Sequence, residues 1–381
     1  MRRTHGQGRL ALLALAAVLL GVAVTCCGGP EPIRIGFAGQ LIGAYSDGGV
    51  NARNGAQLAV EHINAAGGIQ GRPLELVVRD DRNSLGTALA VDRELSDMGV
   101  VAVIGHMTST LCAEVVPYLA DMDLILISPT SSTPELAGID DLFFRVTTPT
   151  DVMARGLARY AARDMGLDRV FVVLDLDNAG YSEPYTEYFS ASFQEAGGEI
   201  AGVERFASSG NADWESVTQA LRRSGSQGLL VVASPRDTAA LARHLSAQGL
   251  EPALLVSPWS MNPALPRDGG SSVEGAVSCH DYAEDMRLES LVSFRNAFQE
   301  RFGLRPSHPA ITGYEAVQIL ARALEETGGS RQGLEQALGS IRDFPGVLGP
   351  VTMDDAGDVV RPTYIIAIKQ GVITLVAPAD S

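Results

Sequence analysis

From Ile33 onward, short apolar runs of four to seven residues alternate with longer amphipathic ones, and the whole alternation is played through twice. "IRIGFAG" is followed by a helical period through Ala52, Ala56, Ala59, Val60 and Ile63, then by "LELVVRDD". Next come a helix carrying Leu89, Val91 and Leu95, the run "VVAVIG", a helix through Cys112, Val115, Val116 and Leu119, and the run "LILIS". Runs that are apolar at every position are strands buried on both faces, which is the signature of a parallel sheet clothed in helices. After "FFRVTTPTD" the pattern restarts with "RVFVVLDLD", a helix after Tyr181, "EIAGVERF", a helix from Trp214 to Arg223, "LLVVAS", a helix through Leu241 and Leu245, "ALLVSP" and "EGAVSC". A chain of 381 residues written this way is expected to form two α/β lobes. The stretch from Glu284 to Ile341 is helical in pattern, whereas the C-terminal "GPVTMDDAGDVVRPTYIIAIKQGVITLVA" reads as strands with turns at Gly357 and Gly371. The expected division is 33–148 with 282–348 for lobe I and 149–281 with 349–381 for lobe II, so that the chain crosses between lobes three times.

The first 27 residues are a different material. Arg2, Arg3 and Arg9 precede "LALLALAAVLLGVAV", which ends at Thr25, Cys26 and Cys27. As a helix this run would reach only about 22 Å, short of a bilayer's roughly 30 Å core, so it is read as an export signal rather than an anchor. The paired cysteines resemble a bacterial lipobox, with Cys27 the expected lipid acceptor and Cys26 the alternative; residues 28–32 would form a tether. Membrane attachment is then by lipid alone. Without this leader only Cys112 and Cys279 remain, too few for a disulfide-built scaffold, and both are expected as free thiols. Loss of the three arginines leaves 26 basic against 45 acidic residues, a formal charge of −19 that argues against nucleic acid as a partner.

Several chemistries are missing. Lys369 is the only lysine, so there is no Gly-Lys-Ser/Thr phosphate loop, and neither G-x-G-x-x-G after a strand, G-x-S-x-G nor H-E-x-x-H occurs. His62, His106, His244, His280 and His308 are scattered along the chain, each better read as a surface or hydrogen-bonded loop residue than as a ligand; no metal and no cofactor are expected. His106 and His280 stand out only for lying at strand ends. Asp80 and Asp81 read as loop caps, and "DDAGD" at 354–358 as a hairpin turn.

What is present is a pair of hydroxyl-rich turns. "VAVIGHMTSTLCAEV" places Thr108, Ser109 and Thr110 where a strand gives way to a helix, and one strand later "LILIS" runs into Thr130, Ser131, Ser132 and Thr133 before Pro134. A hydroxyl beside the unpaired amides of a helix start is an ordinary cap when it occurs once. Two such turns at the carboxyl ends of neighbouring parallel strands, the edge where open α/β sheets bind ligands, point instead to a cradle for a small anion.

These residues also carry a resemblance. "GFAGQLIGAYSDGGVNARNGAQLAVEHINAAGGIQGRPLELVVRDD", "VIGHMTS", "ISPTSSTPEL", "GYSEPYTEYF", "GYEAV" and "GVLGPVTMDDAGDVVRP" resemble, in order, the branched-chain amino acid (Leu/Ile/Val) binding proteins of ABC importers. The resemblance implies a type I periplasmic-binding fold: two doubly wound lobes, a three-strand hinge, and closure over a ligand in the cleft. It further implies that Ser109 and Ser132 hold the ligand's α-carboxylate with nearby amides, including that of Thr130, beside Thr108, while Tyr181 and Ser234 contact it from the second lobe. The chain departs from the family where a glutamate would meet the ligand's ammonium: in "LLVSPWSMN" that position is Trp259. An apolar or aromatic carboxylate is therefore expected, packed on Trp259, Tyr45 and Tyr181, unless Asp175, Asp177, Asp237 or Asp281 supplies the missing charge. The partners implied are a small carboxylate and an ABC permease, with the protein a monomer. A sensory module of the same fold, or an extracellular α/β enzyme, are the alternatives; the latter needs a constellation that the sequence does not show.

Overall fold

The computed structural model describes residues 30–43, 46–359 and 361–379, so the leader, Cys26, Cys27 and Tyr45 lie outside the described residues. The elements of the first half are β1 (Ile33–Gly39), α1 (Ser46–Ala65), β2 (Leu74–Asp80), α2 (Leu85–Asp97), β3 (Val103–Ile104), α3 (Ser109–Val115), α4 (Leu119–Met122), β4 (Leu126–Ser128) and β5 (Phe143–Arg145). All five strands run parallel in the order β2-β1-β3-β4-β5. The direction of winding reverses between β1 and β3, which opens a crevice at the strands' carboxyl ends. The single helix expected from Cys112 to Leu119 is broken by a 3₁₀ turn at Val116–Tyr118, because Pro117 has no amide to continue the ladder.

The second half contributes α5 (Thr150–Arg163), β6 (Arg169–Asp175), α6 (Ala179–Glu195), β7 (Glu199–Phe206), α7 (Trp214–Ser224), β8 (Gly228–Val232), α8 (Pro235–Ala247), β9 (Ala253–Val256), α9 (Ala264–Gly269) and β10 (Val277–His280). Then follow α10 (Glu289–Phe302), α11 (His308–Glu326), α12 (Leu334–Gly339), and the strands β11 (Phe344–Gly346), β12 (Gly349–Val351), β13 (Tyr364–Lys369) and β14 (Val372–Pro378). The second sheet has the order β14-β13-β10-β9-β8-β6-β7, parallel from β7 to β10 and antiparallel beyond. Its reversal lies between β6 and β8. Gln370 and Gly371, both at positive φ, make the tight turn between β13 and β14. The turn at Gly357 is flanked only by a single bridge, Met353 to Val359.

The helices after β10 return to the first sheet. α11 lies against α1 at backbone contact: a Cβ on Gly55 would sit 1.9 Å from the Ala310 carbonyl oxygen, and one on Gly313 would sit 2.4 Å from that of Ala52. Val351, Met353 and Val359 also pack in the first lobe's core. The last crossing thus falls between Val359 and Tyr364, later than the switch at residue 349 expected from sequence. The three crossing segments are bonded to one another at the hinge: Thr148 Oγ1 donates to Asp281 Oδ2 (2.8 Å), and Arg361 Nη2 donates to the Val146 carbonyl (3.4 Å). Two buried ion pairs hold this region, Arg145 Nε to Asp358 Oδ1 and Arg361 Nη2 to Glu315 Oε2, each at 2.6 Å. Cys112 and Cys279 are buried free thiols, and burial pushes each up to about 12. No described helix is long and apolar enough to cross a membrane.

Candidate functional site

Both sheets present their carboxyl ends to one cavity of about 160 Å³, and Thr108, Ser109, Thr130, Ser132, Tyr181, Ser234 and Trp259 all line it. Thr108 caps α3, its hydroxyl accepting from Leu111 N and donating to Asn83 Oδ1 at 2.6 Å. The two hydroxyl-rich turns touch: Ser132 N donates to Ser109 Oγ (3.3 Å), and Ser132 Oγ pairs with Thr150 Oγ1 (2.8 Å). Thr130 Oγ1 donates to the Met107 carbonyl (2.6 Å), and Ser128 Oγ donates to the His106 carbonyl (2.8 Å) while accepting from Ser131 N (2.9 Å). The second turn, unlike the first, is not the start of an α-helix. Only a 3₁₀ turn forms at Pro134–Leu136; Ala137 is already extended, and Gly138 at positive φ turns the chain toward Asp358.

His106 underlies this arrangement. Its ring is fully buried, with Nδ1 2.7 Å from Asp81 Oδ2 and Nε2 3.1 Å from Asp92 Oδ2. Burial alone would lower its pKa; the charges of Asp92 and Asp81, with their hydrogen bonds, outweigh that and raise it to about 10, so the ring is an imidazolium clamped by two carboxylates. It lies three residues before Ser109 and fixes the turn's entry.

From the second lobe, Tyr181 and Trp259 meet edge to face with ring centroids 5.9 Å apart. Burial pushes the Tyr181 phenol well up, partly offset by Ser257 and the Trp259 backbone, so it stays a neutral donor. Ser234 caps α8: its hydroxyl accepts from Asp237 N (3.2 Å) and donates to Asp237 Oδ2 (2.6 Å). None of Asp175, Asp177, Asp237 and Asp281 lines the cavity. Asp175 and Asp177 accept from Ser208 and Ser209, Asp237 from Ser234, and Asp281 from Thr148. Among the described residues the lining carboxylates are Asp47, which is exposed, and Asp268, which is half-buried and paired with Arg267.

Residues not expected at the site also line the cavity: Met107, Met153 and Met261 widen its apolar wall, and Asn178, His308 and His280, noted from sequence only for lying at a strand end, add polar groups. The lobes meet directly beside it. Asn178 Oδ1 accepts from Thr110 N (3.4 Å) and Thr110 Oγ1 (3.3 Å), and Gly180 N donates to Thr110 Oγ1 (3.0 Å). A Cβ on Gly180 would lie 3.0 Å from both the Thr110 nitrogen and its Cα, so this approach needs glycine.

Two doubly wound lobes, three bonded crossings and a small cavity between the sheets' carboxyl ends are the architecture of a hinged ligand-binding protein. A profile of the periplasmic binding protein family matches residues 32–372, and the chain belongs to that family. It is 25% identical over 359 residues to a leucine-, isoleucine-, valine-, threonine- and alanine-binding protein of Pseudomonas aeruginosa, covering 93% of this chain and 94% of the relative. Its fold is shared by the branched-chain amino acid transporter substrate-binding protein LivJ of Streptococcus pneumoniae in complex with isoleucine, with TM-score 0.82, 22% identity and coverage of 91% and 100%. It is shared equally by a solute-binding protein of Rhodopseudomonas palustris in complex with benzoate, with TM-score 0.82, 20% identity and coverage of 91% and 96%.

Proposed function

We propose that the protein is the exported, monomeric binding component of an ABC importer, tethered at Cys27, and that it carries a small carboxylate with an apolar or aromatic body and no ammonium group to a membrane permease. The observation that carries this reading is the lining of the cavity: Trp259, at the position where the resemblance implies a glutamate for a ligand's ammonium, lines it, and no buried carboxylate does among the described residues. An ammonium buried there would be unpaired, at a cost of several kcal/mol. An indole, a phenol and three thioethers offer apolar area instead. The volume of about 160 Å³ matches that of a cavity known to accept benzene. Ser109, Ser132 and their neighbouring amides supply donors for the carboxylate, and Tyr181 and Trp259 close from the other lobe. That a relative of this fold was solved with benzoate supports the class.

A thermal-shift screen against benzoates, aliphatic carboxylates and α-amino acids, followed by Trp259 fluorescence titration, tests the reading. A carboxylate at 100 times its dissociation constant should stabilise the protein by about 2.7 kcal/mol. Ser109→Ala and Ser132→Ala should each weaken its binding by about 1.5–3 kcal/mol, the range for a hydrogen bond to a charged group, without unfolding the chain. Micromolar binding of leucine with no response to deaminated carboxylates would overturn the class. Parental affinity in both serine variants would reduce the two turns to ordinary caps.

A further inference from the structure

Histidines 28 positions apart in sequence converge at the hinge. His280 ends β10 of the second sheet, Asp281 opens the second crossing, and His308 starts α11 on the first lobe. His280 Nδ1 is 2.8 Å and His308 Nε2 2.9 Å from the same oxygen, Asp281 Oδ1, and the three ligating atoms lie within 4.8 Å of one another. The imidazole centroids are 4.5 Å apart. All three residues are buried, yet both rings border the cavity, so the cluster has an entry path and an open side. The carboxylate reading above uses none of them.

One contact in the cluster is unlike a hydrogen bond. His308 Nε2 approaches Asp281 Oδ1 closely but off the N–H···O direction, and this buried nitrogen has no hydrogen-bond partner. That ring nitrogen is thus not committed to a hydrogen bond within the protein and is available to a cation held beside the carboxylate. The surrounding shell fits the same role. Thr148 Oγ1 holds the other carboxylate oxygen at 2.8 Å and so orients the first.

We infer that His280, Asp281 and His308 form a binding site for one transition-metal dication, with a further coordination position facing the cleft. Two imidazoles and one carboxylate are the donors of a three-ligand zinc site and disfavour magnesium or calcium, which take oxygen. Bonds of about 2.0–2.1 Å at tetrahedral angles separate ligands by about 3.3 Å, so binding would widen the two N···O contacts by about half an ångström and draw together the two nitrogens, now within 4.8 Å. Because the ligands come from both lobes and the crossing between them, the ion would brace the hinge at the floor of the cleft.

The test needs no organic ligand and so is independent of the carboxylate reading. The protein, prepared without a polyhistidine tag and stripped with a chelator, is titrated with Zn²⁺ by calorimetry and with Co²⁺ by visible absorption. The expected result is one saturable site per chain, with the intense Co²⁺ bands of a four-coordinate N/O site, and a higher Tm with Zn²⁺. His308→Gln should weaken it at least about tenfold, as should Asp281→Asn, whose amide oxygen keeps the Thr148 bond. His244→Gln, on the half-exposed outer face of α8, should leave it unchanged. Absence of saturable one-to-one binding in the parent chain overturns the inference whatever the variants do. So does binding that survives His308→Gln and Asp281→Asn at parental strength, or that is lost in His244→Gln.

Discussion

Replacing His106 by leucine is expected to cost about 3–5 kcal/mol of folding stability, because it leaves Asp81 and Asp92 buried without their shared counter-charge. The two carboxylates are at most 1% exposed, so water cannot take the imidazole's place. Ligand affinity should fall as well, since the clamp sets the entry to the turn bearing Ser109. The pH dependence has a definite sign. A histidine whose pKa is about 10 when folded and 6.5 when unfolded keeps its proton in the native state after the unfolded chain has lost it. Its contribution is therefore complete below pH 6.5 and disappears as the pH rises toward 10. Urea denaturation at pH 6, 8 and 10 should show parental stability declining through this window. If His106→Leu declines just as steeply, or loses less than 1 kcal/mol, the imidazolium clamp is wrong.

Glu315→Ala should be of similar size, about 3–5 kcal/mol, because it strands the Arg361 guanidinium at the hinge. Both side chains are at most 2% exposed; Glu315 Oε1 also accepts from Leu348 N at 3.0 Å, tying α11 to the loop before β12. Removing both charges is a different matter. The double variant Glu315→Leu with Arg361→Met eliminates the stranded charge, and much of the loss should return. Chemical denaturation of the two single variants and the double variant measures this coupling. Losses that simply add would show that the pair is held by its surroundings rather than by mutual attraction.

The alternation of the chain was legible because strands buried on both faces are apolar throughout their interiors, as between the charged ends of "RVFVVLD" or in "GLLVV". The hydroxyl-rich turns were legible for a related reason: Ser109 and Ser132 follow such strands directly, and parallel neighbours carry their carboxyl ends to one edge. Breaks inside elements were harder. Pro117 splits the helix after Ser109, and Pro134 begins a turn that Ala137 and Gly138 end within three residues. Least legible were charges whose partners are remote in sequence. His106 finds Asp81 and Asp92, which are 25 and 14 residues away, and His280 finds His308 only because α11 returns to the first lobe. Beyond the strand ends at which His106 and His280 lie, nothing local to those histidines distinguishes them from His62 or His244. The last crossing was misplaced because Val351, Met353 and Val359 have the alternation of strand residues but pack as separate plugs in the first lobe's core.

The bonds between Thr110, Asn178 and Gly180 join the lobes without involving anything held between them. They therefore favour closure of the empty molecule, and set the fraction of molecules already shut when a ligand arrives. Apparent affinity scales with that fraction, by one common factor for every compound the cavity accepts. The rim thus works as a gain control, separate from the residues that discriminate. Substitutions at Thr110, which does not line the cavity, would raise or lower all affinities together and leave their ratios untouched, so a lineage of such proteins could match its sensitivity to a scarce or abundant nutrient without rebuilding the wall around Trp259.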